Sequence, residues 1–399
     1  MQEVNIMLIQ FRFQNYKSFK EETVLDMTAT SQREHSDFLI EKNENKVLPV
    51  AVFFGGNANG KSNLIEAFFR MIYSIIMTYD IDENQDLEAN PYIFDESIEE
   101  PTAFEIVLAI EDIEYKYGFI LDSNKIHQEW LLQRPFKKSS TANYKKLFER
   151  EENDIKLYSE FKEYELLKSL VKEKNLFLSI LGRRRENIAK DIYGWAAHTD
   201  FEMFDTENDQ RILEILYSDK KLFEQVKREI KEVDNCIFNM KIIKEINRLN
   251  NKFIYKLEAI HRIADKEFEC PFEIESSGTI KLFYLYYKIY KILNRGGVLF
   301  IDELDSKIHS LVLKHIISLF NDREINKNNA QIVFSCHNTW LLENKLLRRD
   351  QIWFIKKDNK GISEIYSLAD FKDVRSDLDY NKAYLSGKFG AIPYMERKK

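Results

Sequence analysis

Glycine, proline and cysteine are scarce in this chain, at 12, 6 and 3 of 399 residues. So few glycines and prolines, with no low-complexity tract, tandem repeat or Ser/Gly linker, exclude collagen-like, solenoid and loosely tethered architectures. The cysteines, Cys236, Cys270 and Cys336, are odd in number, far apart and without metal-ligand spacing. That pattern argues against a disulfide framework or a zinc site and fits a reducing cytoplasm. No stretch approaches 18 uninterrupted apolar residues, and the opening residues carry Glu3 and no leader pattern, so neither export nor a membrane span is expected. Basic residues do not predominate: 59 against 66 acidic ones give a net charge of −7, which argues against a surface globally adapted to polyanions. A local basic groove stays open.

What is present is enough apolar material, 44% of residues with 13% aromatic, to bury a sizeable core. Ile6 to Phe19 alternates as a strand, with Leu8, Phe11 and Phe13 as core candidates. Val50 to Phe54 reads as a second strand, followed by a glycine loop and a helix whose apolar positions are Leu64, Ile65, Phe68, Phe69, Ile72 and Ile75. Period-two runs from Phe104 to Ile110 and from Ile113 to Leu121, separated by Glu111-Asp112, predict an antiparallel hairpin. From about 122 to 268 the chain is Lys/Glu-rich with apolar residues three or four apart, as in Leu166, Leu167, Leu170 and Val171, which predicts a mainly helical insertion. Buried strands return at Val298–Ile301, Gln331–Ser335 and Ile352–Ile355, with a helix over Leu311–Phe320 between the first two. Strands alternating with helices predict an α/β domain with a mixed sheet flanked by helices and an antiparallel lobe. Its parts would be 1–121 and 269–399, split by the insertion 122–268.

Gly55-Gly56-Asn57-Ala58-Asn59-Gly60-Lys61-Ser62 fits G-x-x-x-x-G-K-[ST], with a strand before it and a helix after it. Glycines let backbone N–H groups close around phosphates, the helix N-terminus adds positive dipole, Lys61 reaches the β and γ phosphates, and the Ser62 hydroxyl ligates Mg²⁺. Gly55, Asn57, Asn59, Gly60, Lys61, Ser62 and Asn63 are therefore the candidate ATP-binding residues. Val298-Leu299-Phe300-Ile301-Asp302-Glu303 is an apolar strand ending in two acids. Asp302 there is placed to hold Mg²⁺ and Glu303 to take a proton from an attacking water.

Upstream, Glu275-Ser276-Ser277-Gly278-Thr279 opens the helical run K-L-F-Y-L-Y-Y-K-I-Y. This resembles a degenerate signature of ABC-type ATPases, L-S-G-G-Q, with the usual Leu, first Gly and Gln replaced. The resemblance implies that Ser276, Ser277 and Gly278 face the γ-phosphate held by a second subunit; without the neighbouring motifs they would read as a helix cap. Asp305 resembles the D-loop of the same family, and His337, just after the Gln331–Ser335 strand, its switch histidine, making Glu303 and His337 the catalytic candidates. His309 reads instead as a structural histidine of the helix that follows it.

Asn15-Tyr16-Lys17-Ser18-Phe19 resembles the first-strand motif of SMC, RecF and OLD ATPases, which makes Tyr16 and Lys17 candidates for adenine or phosphate contacts. Capping of the core by Tyr16 and Phe19 is the alternative. The whole chain, including the segments His337–Phe354 and Asp379–Pro393, resembles small AAA/ABC-like phage-defence ATPases of the AbiL and RloA kind. That resemblance implies an ABC-type P-loop fold, a homodimer or higher even-numbered oligomer, and a separate effector, a nuclease or toxin. The short stretch after His337 leaves no room for a TOPRIM nuclease, and no sustained heptad repeat suits an SMC arm. Arg183-Arg184-Arg185 with Lys190, and Lys137-Lys138 with Lys145-Lys146, are either solvated faces or contacts to nucleic acid. Two rival functions stay open, a RecF-like DNA-maintenance ATPase and a non-hydrolysing scaffold.

Overall fold

The computed structural model describes residues 5–137, 142–184, 187–202, 210–247, 251–264, 266–343, 346–374 and 378–392. Strands β1 (Ile6–Gln14), β2 (Thr23–Asp26), β3 (Ile40–Lys42), β4 (Asn45–Val47) and β5 (Val50–Phe54) lead into helix α1 (Lys61–Met77). Five more strands follow: β6 (Thr102–Ile110), β7 (Ile113–Leu121), β8 (Ile126–Pro135), β9 (Lys145–Glu151) and β10 (Asp154–Leu157). Next come α2 (Phe177–Arg184), α3 (Ile188–His198), β11 (Asp200–Glu202), α4 (Gln210–Ser218) and α5 (Lys220–Val233). A three-stranded sheet of β12 (Ile237–Asn247), β13 (Lys252–Ile263) and β14 (Lys266–Pro271) precedes α6 (Ser277–Arg295) and β15 (Val298–Ile301). The chain continues through α7 (Ser310–Asn321), β16 (Gln331–Ser335), β17 (Ile352–Lys357), β18 (Ser363–Ser367) and α8 (Tyr380–Leu385).

The second large sheet runs β11-β15-β16-β5-β17-β18, parallel from β11 to β17 and antiparallel at β18. Period two divides its side chains between two cores. Ala51, Phe53, Val298, Phe300 and Val333 face the core shared with α1 and the antiparallel sheet. Val50, Val52, Phe54, Leu299, Ile301, Ile332 and Phe334 face the core shared with α6 and α7. Burial on both faces is why these strands read as continuous apolar runs. On the first face Phe68 of α1 stacks on Phe300 with ring centroids 3.9 Å apart. The expected mixed α/β class with an antiparallel lobe is the class observed.

The antiparallel sheet has the order β10-β9-β8-β7-β6-β1-β2. The β6–β7 hairpin turns at Glu111-Asp112 as expected, with Ile110 opposite Ile113 and Glu111 at φ 52°. Leu8, Phe11 and Phe13 are buried, but β1 stops at Gln14 because Asn15 and Lys17 take positive φ and fold Tyr16 back onto Phe19. The two large sheets are pinned together by Gln331, fully buried, whose side chain accepts from Leu8 N–H at 2.7 Å and donates to the carbonyls of Leu8 and Leu48. Gln331→Ala leaves those backbone groups buried without partners, at about 1–3 kcal/mol each for groups that find no water. Urea denaturation is expected to register the loss; an unchanged midpoint would contradict it.

The mainly helical reading of 122–268 needs correction. Helices α2 to α5 lie there, but β8, β9 and β10 complete the antiparallel sheet and β11 joins the parallel one. The strands were hidden because one face of each is charged and solvated. In β13, for example, Tyr255, Leu257 and Ala259 are buried at period two between Lys256 and Glu258. Leu166, expected on an apolar helix face, is 86% exposed in a 3-10 segment. Among the described residues no helix is long and apolar enough to cross a membrane.

Helices α5, α6 and α7 meet around the buried Glu229, which accepts from Tyr290 and lies 2.7 Å from His315 Nε2. The Glu229 hydrogen bond raises the His315 pKa, with Glu232 adding to the effect and burial and Arg228 opposing it. Burial pushes the Glu229 carboxyl up, but the His315 and Tyr290 hydrogen bonds outweigh it and hold the group below its ordinary range. The imidazolium therefore contributes stability fully present below its unfolded pKa of about 6.5 and lost as pH rises through the higher folded value. The carboxylate contributes above about 4.5 and loses it as pH falls through its lowered value. Melting temperatures of wild type and His315→Gln are expected to converge as pH is raised from 6 to 9; a constant gap would contradict the coupling.

Candidate functional site

The phosphate loop is shaped by close approach. A Cβ on Gly55 would stand 2.5 Å from the carbonyl oxygen of Ile355 in β17, so only glycine lets β5 leave the sheet at that point. Gly60 sits at φ 114°, a region that favours glycine, and its Cβ would meet Ser363 Oγ at 2.6 Å. Ser363 Oγ bonds Asn59 O and Ser18 Oγ, Asn59 Nδ2 donates to Ile355 O, and Asn63 Nδ2 donates to Ser18 Oγ. The loop is thus held from the β1–β2 turn on one side and β18 on the other. Lys61 is buried, and its ammonium donates to Gly55 O at 2.8 Å and Gly56 O at 3.1 Å. Burial lowers its pKa, while Asp302, Glu303 and Asp305 pull the other way without overcoming the effect. Asn57 and Ser62 are exposed at the loop and helix start.

At the end of β15, Ser335 of the adjacent strand organises both acids. Its hydroxyl donates to Asp302 Oδ1 at 2.5 Å and accepts from Glu303 N–H at 2.7 Å. Glu303 is held at φ 50°, a strained position for a non-glycine residue, with its side chain 58% exposed. His337 Nε2 lies 4.0 Å from Glu303 Oε1, and His337 N–H donates to Asp305 Oδ2 at 3.1 Å. Glu303, Asp305 and His337 therefore converge, on two loops brought together by β15 and β16. The other carboxylate oxygen of Asp305 is buried without a hydrogen-bond partner.

Ser276 caps α6, its side chain accepting from Thr279 N–H at 3.1 Å, and Ser276 and Ser277 are exposed. A Cβ on Gly278 would lie 3.2 Å from Lys307 O, and Lys281 Nζ donates to Ser306 O, so the helix start packs against the loop after Asp305 of its own chain. His309 is the N-cap of α7, its ring accepting from Leu311 N–H, the structural role the sequence suggests.

Residues 50–343 match the family model described as "AAA domain, putative AbiEii toxin, Type IV TA system". The chain belongs to this AAA-domain family. The match takes in the phosphate loop, the α6 start, Asp302, Glu303 and His337 together. No curated protein matches the sequence. Among solved structures, the SMC head domain from Thermotoga maritima is similar, at 14% identity and a TM-score of 0.43, over 90% of this chain and 98% of that one. The Smc head domain with an extended coiled coil, bound to the C-terminal domain of ScpA and derived from Pyrococcus furiosus, is 12% identical with a TM-score of 0.41, over 91% and 96%.

In this AAA domain the residues present fit a nucleotide phosphate with a divalent cation. A glycine cradle with no room for Cβ, a buried ammonium and the Asp302 carboxylate are the donors such a group needs. Tyr16 is in the core, edge-on to Phe13 and near Phe104, with its hydroxyl on Glu66, so the capping alternative describes it. Lys17 is paired with the same Glu66. Of the basic clusters, Arg183 is bound to Asp80 and Tyr193 and Lys146 to Glu149; Lys138 and Arg185 lie outside the described residues. Sequence reasoning missed Ser18, Ser335 and Ser363, lone serines whose roles follow only from strand pairing. It also missed the Ala391 carbonyl, which accepts from Gly56 N–H and docks the α8 segment on the loop.

Proposed function

We propose that this AAA domain binds MgATP, hydrolyses it, and uses ATP-dependent pairing of two copies to control a separate effector, a nuclease or toxin in anti-phage defence. The observation that carries the reading is Glu303. An exposed carboxylate held in a strained backbone by Ser335, beside His337 and one residue from Asp302, is placed to accept a proton from water rather than to stabilise the fold. Mg²⁺, held by Ser62 and Asp302, would neutralise phosphate charge. Lys61 binds the phosphates, Ser335 orients both acids, and His337 contacts the terminal phosphate.

Pairing is supported by the surface around this site. Ile274 before the α6 cap, Leu311 at the start of α7 and Trp340 beyond His337 are 70%, 63% and 58% exposed. Asn338 Nδ2 donates to Ser310 Oγ, joining the α7 start to the His337 segment. Exposed large apolar residues next to exposed Ser276 and Ser277 suit a face closed by a second copy. The separate effector rests on the resemblance to phage-defence ATPases; the family description itself names the AAA domain a putative toxin of a type IV toxin–antitoxin system.

Tagged Glu303→Gln protein, purified with MgATP from cells carrying its native neighbouring genes, tests the effector. Recovery of a stoichiometric nuclease or toxin-like protein is expected. A bare pair of chains carrying DNA, with DNA-stimulated turnover, would overturn the effector role in favour of DNA maintenance.

A further inference from the structure

Outside the phosphate site, the described residues bring two groups of His, Cys, Asp and Glu ligand atoms within 4.8 Å of one another. In the first, Glu229, Glu232 and His315, the buried Glu229 already accepts from both Tyr290 and His315, and the cluster is a helix-packing network. The second, His261, Cys270 and Glu275, has a different character.

Strand register builds it. Ala259 lies opposite Cys270 and His261 opposite Phe268, so Cys270 shares a face of the β13–β14 ladder with Ala259 and with His261 two residues on. One 3-10 turn, anchored by the buried Phe272, carries the chain back, with Glu275 N–H on Phe272 O at 3.1 Å. Glu275 Oε1 then sits 2.8 Å from His261 Nε2 and 3.7 Å from Cys270 Sγ. The His261 and Glu275 side chains are only 18% and 10% exposed. The ligands come from two strands and a turn, which is why the spacing of cysteines along the sequence gives no sign of them.

We propose that His261, Cys270 and Glu275 bind a thiophilic divalent cation, Zn²⁺, with a water in the fourth position. Bond lengths of about 2.3 Å to sulfur and about 2.0 Å to nitrogen and oxygen place tetrahedral ligands roughly 3.3–3.6 Å apart. The Cys270–Glu275 separation is already close to that, and the His261–Glu275 separation opens by roughly half an ångström as the cation replaces the hydrogen bond. Sulfur, nitrogen and oxygen donors together select Zn²⁺ over Mg²⁺ or Ca²⁺. Zinc binds the thiolate of Cys270, so binding displaces the thiol proton.

Glu275 is followed directly by Ser276, the cap of α6. Zn²⁺ therefore fixes the entry to the segment assigned to the partner's phosphate, a consequence that rests on the proposed pairing; metal binding itself does not.

The full chain, stripped with chelator under reducing conditions and titrated with Co²⁺ as a probe, gives the test. One equivalent is expected to produce a thiolate-to-cobalt absorption band that Zn²⁺ abolishes. Cys270→Ser is expected to lack the band, and His261→Ala to bind more than about tenfold more weakly. Alkylation mapped by mass spectrometry needs no variant: Zn²⁺ is expected to protect Cys270 and leave the exposed Cys236 reactive. Absence of the band in wild type, its persistence in Cys270→Ser, or equal alkylation of Cys270 with and without Zn²⁺ would overturn the site.

Discussion

Glu303→Gln is expected to retain ATP binding and to lose turnover by about 10²–10⁴-fold, the usual contribution of a positioned general base. The amide keeps the size and hydrogen-bonding shape of the carboxylate and cannot take a proton. Its backbone remains fixed by the Ser335 hydroxyl, and 58% exposure of the side chain means that little packing is disturbed. His337, 4.0 Å away, is a second basic group beside the side chain, so His337→Ala is the necessary comparison. Unmutated turnover in Glu303→Gln under steady-state assay would remove Glu303 from the base role. A larger loss in His337→Ala than in Glu303→Gln would move the role to the histidine.

Lys61→Ala is expected to weaken ATP binding roughly 10- to 100-fold, as loss of hydrogen bonds made by a charged donor implies. The ammonium is anchored on Gly55 O and Gly56 O inside the loop, so its charge lies within the cradle and its truncation leaves phosphate charge facing those carbonyls alone. Equilibrium titration with a fluorescent ATP analogue measures the effect, and circular dichroism checks that the fold survives. Equal affinity in the variant and in wild type would contradict the assignment of this loop to phosphate.

These two residues were legible in the sequence because their motif is local. Gly55 to Ser62 is one uninterrupted turn between a strand and a helix, and Val298 to Glu303 one buried strand and its tip. The supports of the site were not legible, for a physical reason in each case. Ser335 acts on Asp302 and Glu303 only because β15 and β16 pair in parallel, and Ser363 reaches Gly60 only because β18 closes the far edge of the sheet. The segment 122–268 was misread where charged residues alternate with buried ones: Lys/Glu content suggested helix, while the antiparallel pairing of successive strands, β12 with β13 and β8 with β9, decided for strand. For Tyr16 the sequence leaves two readings, a nucleotide contact by resemblance and capping of the core, and the positive φ of Asn15 and Lys17, which turns its ring inward, decides for the core.

In the proposed function ATP joins two copies, Ser276 to Gly278 of one meeting the phosphate held by Lys61, Asp302 and Glu303 of the other. Light scattering of purified Glu303→Gln protein, with and without MgATP, tests it most directly. A mass that doubles with MgATP, and fails to double when Lys61→Ala is added, is the predicted result. A mass that stays that of one chain while ATP is demonstrably bound would overturn the proposed pairing.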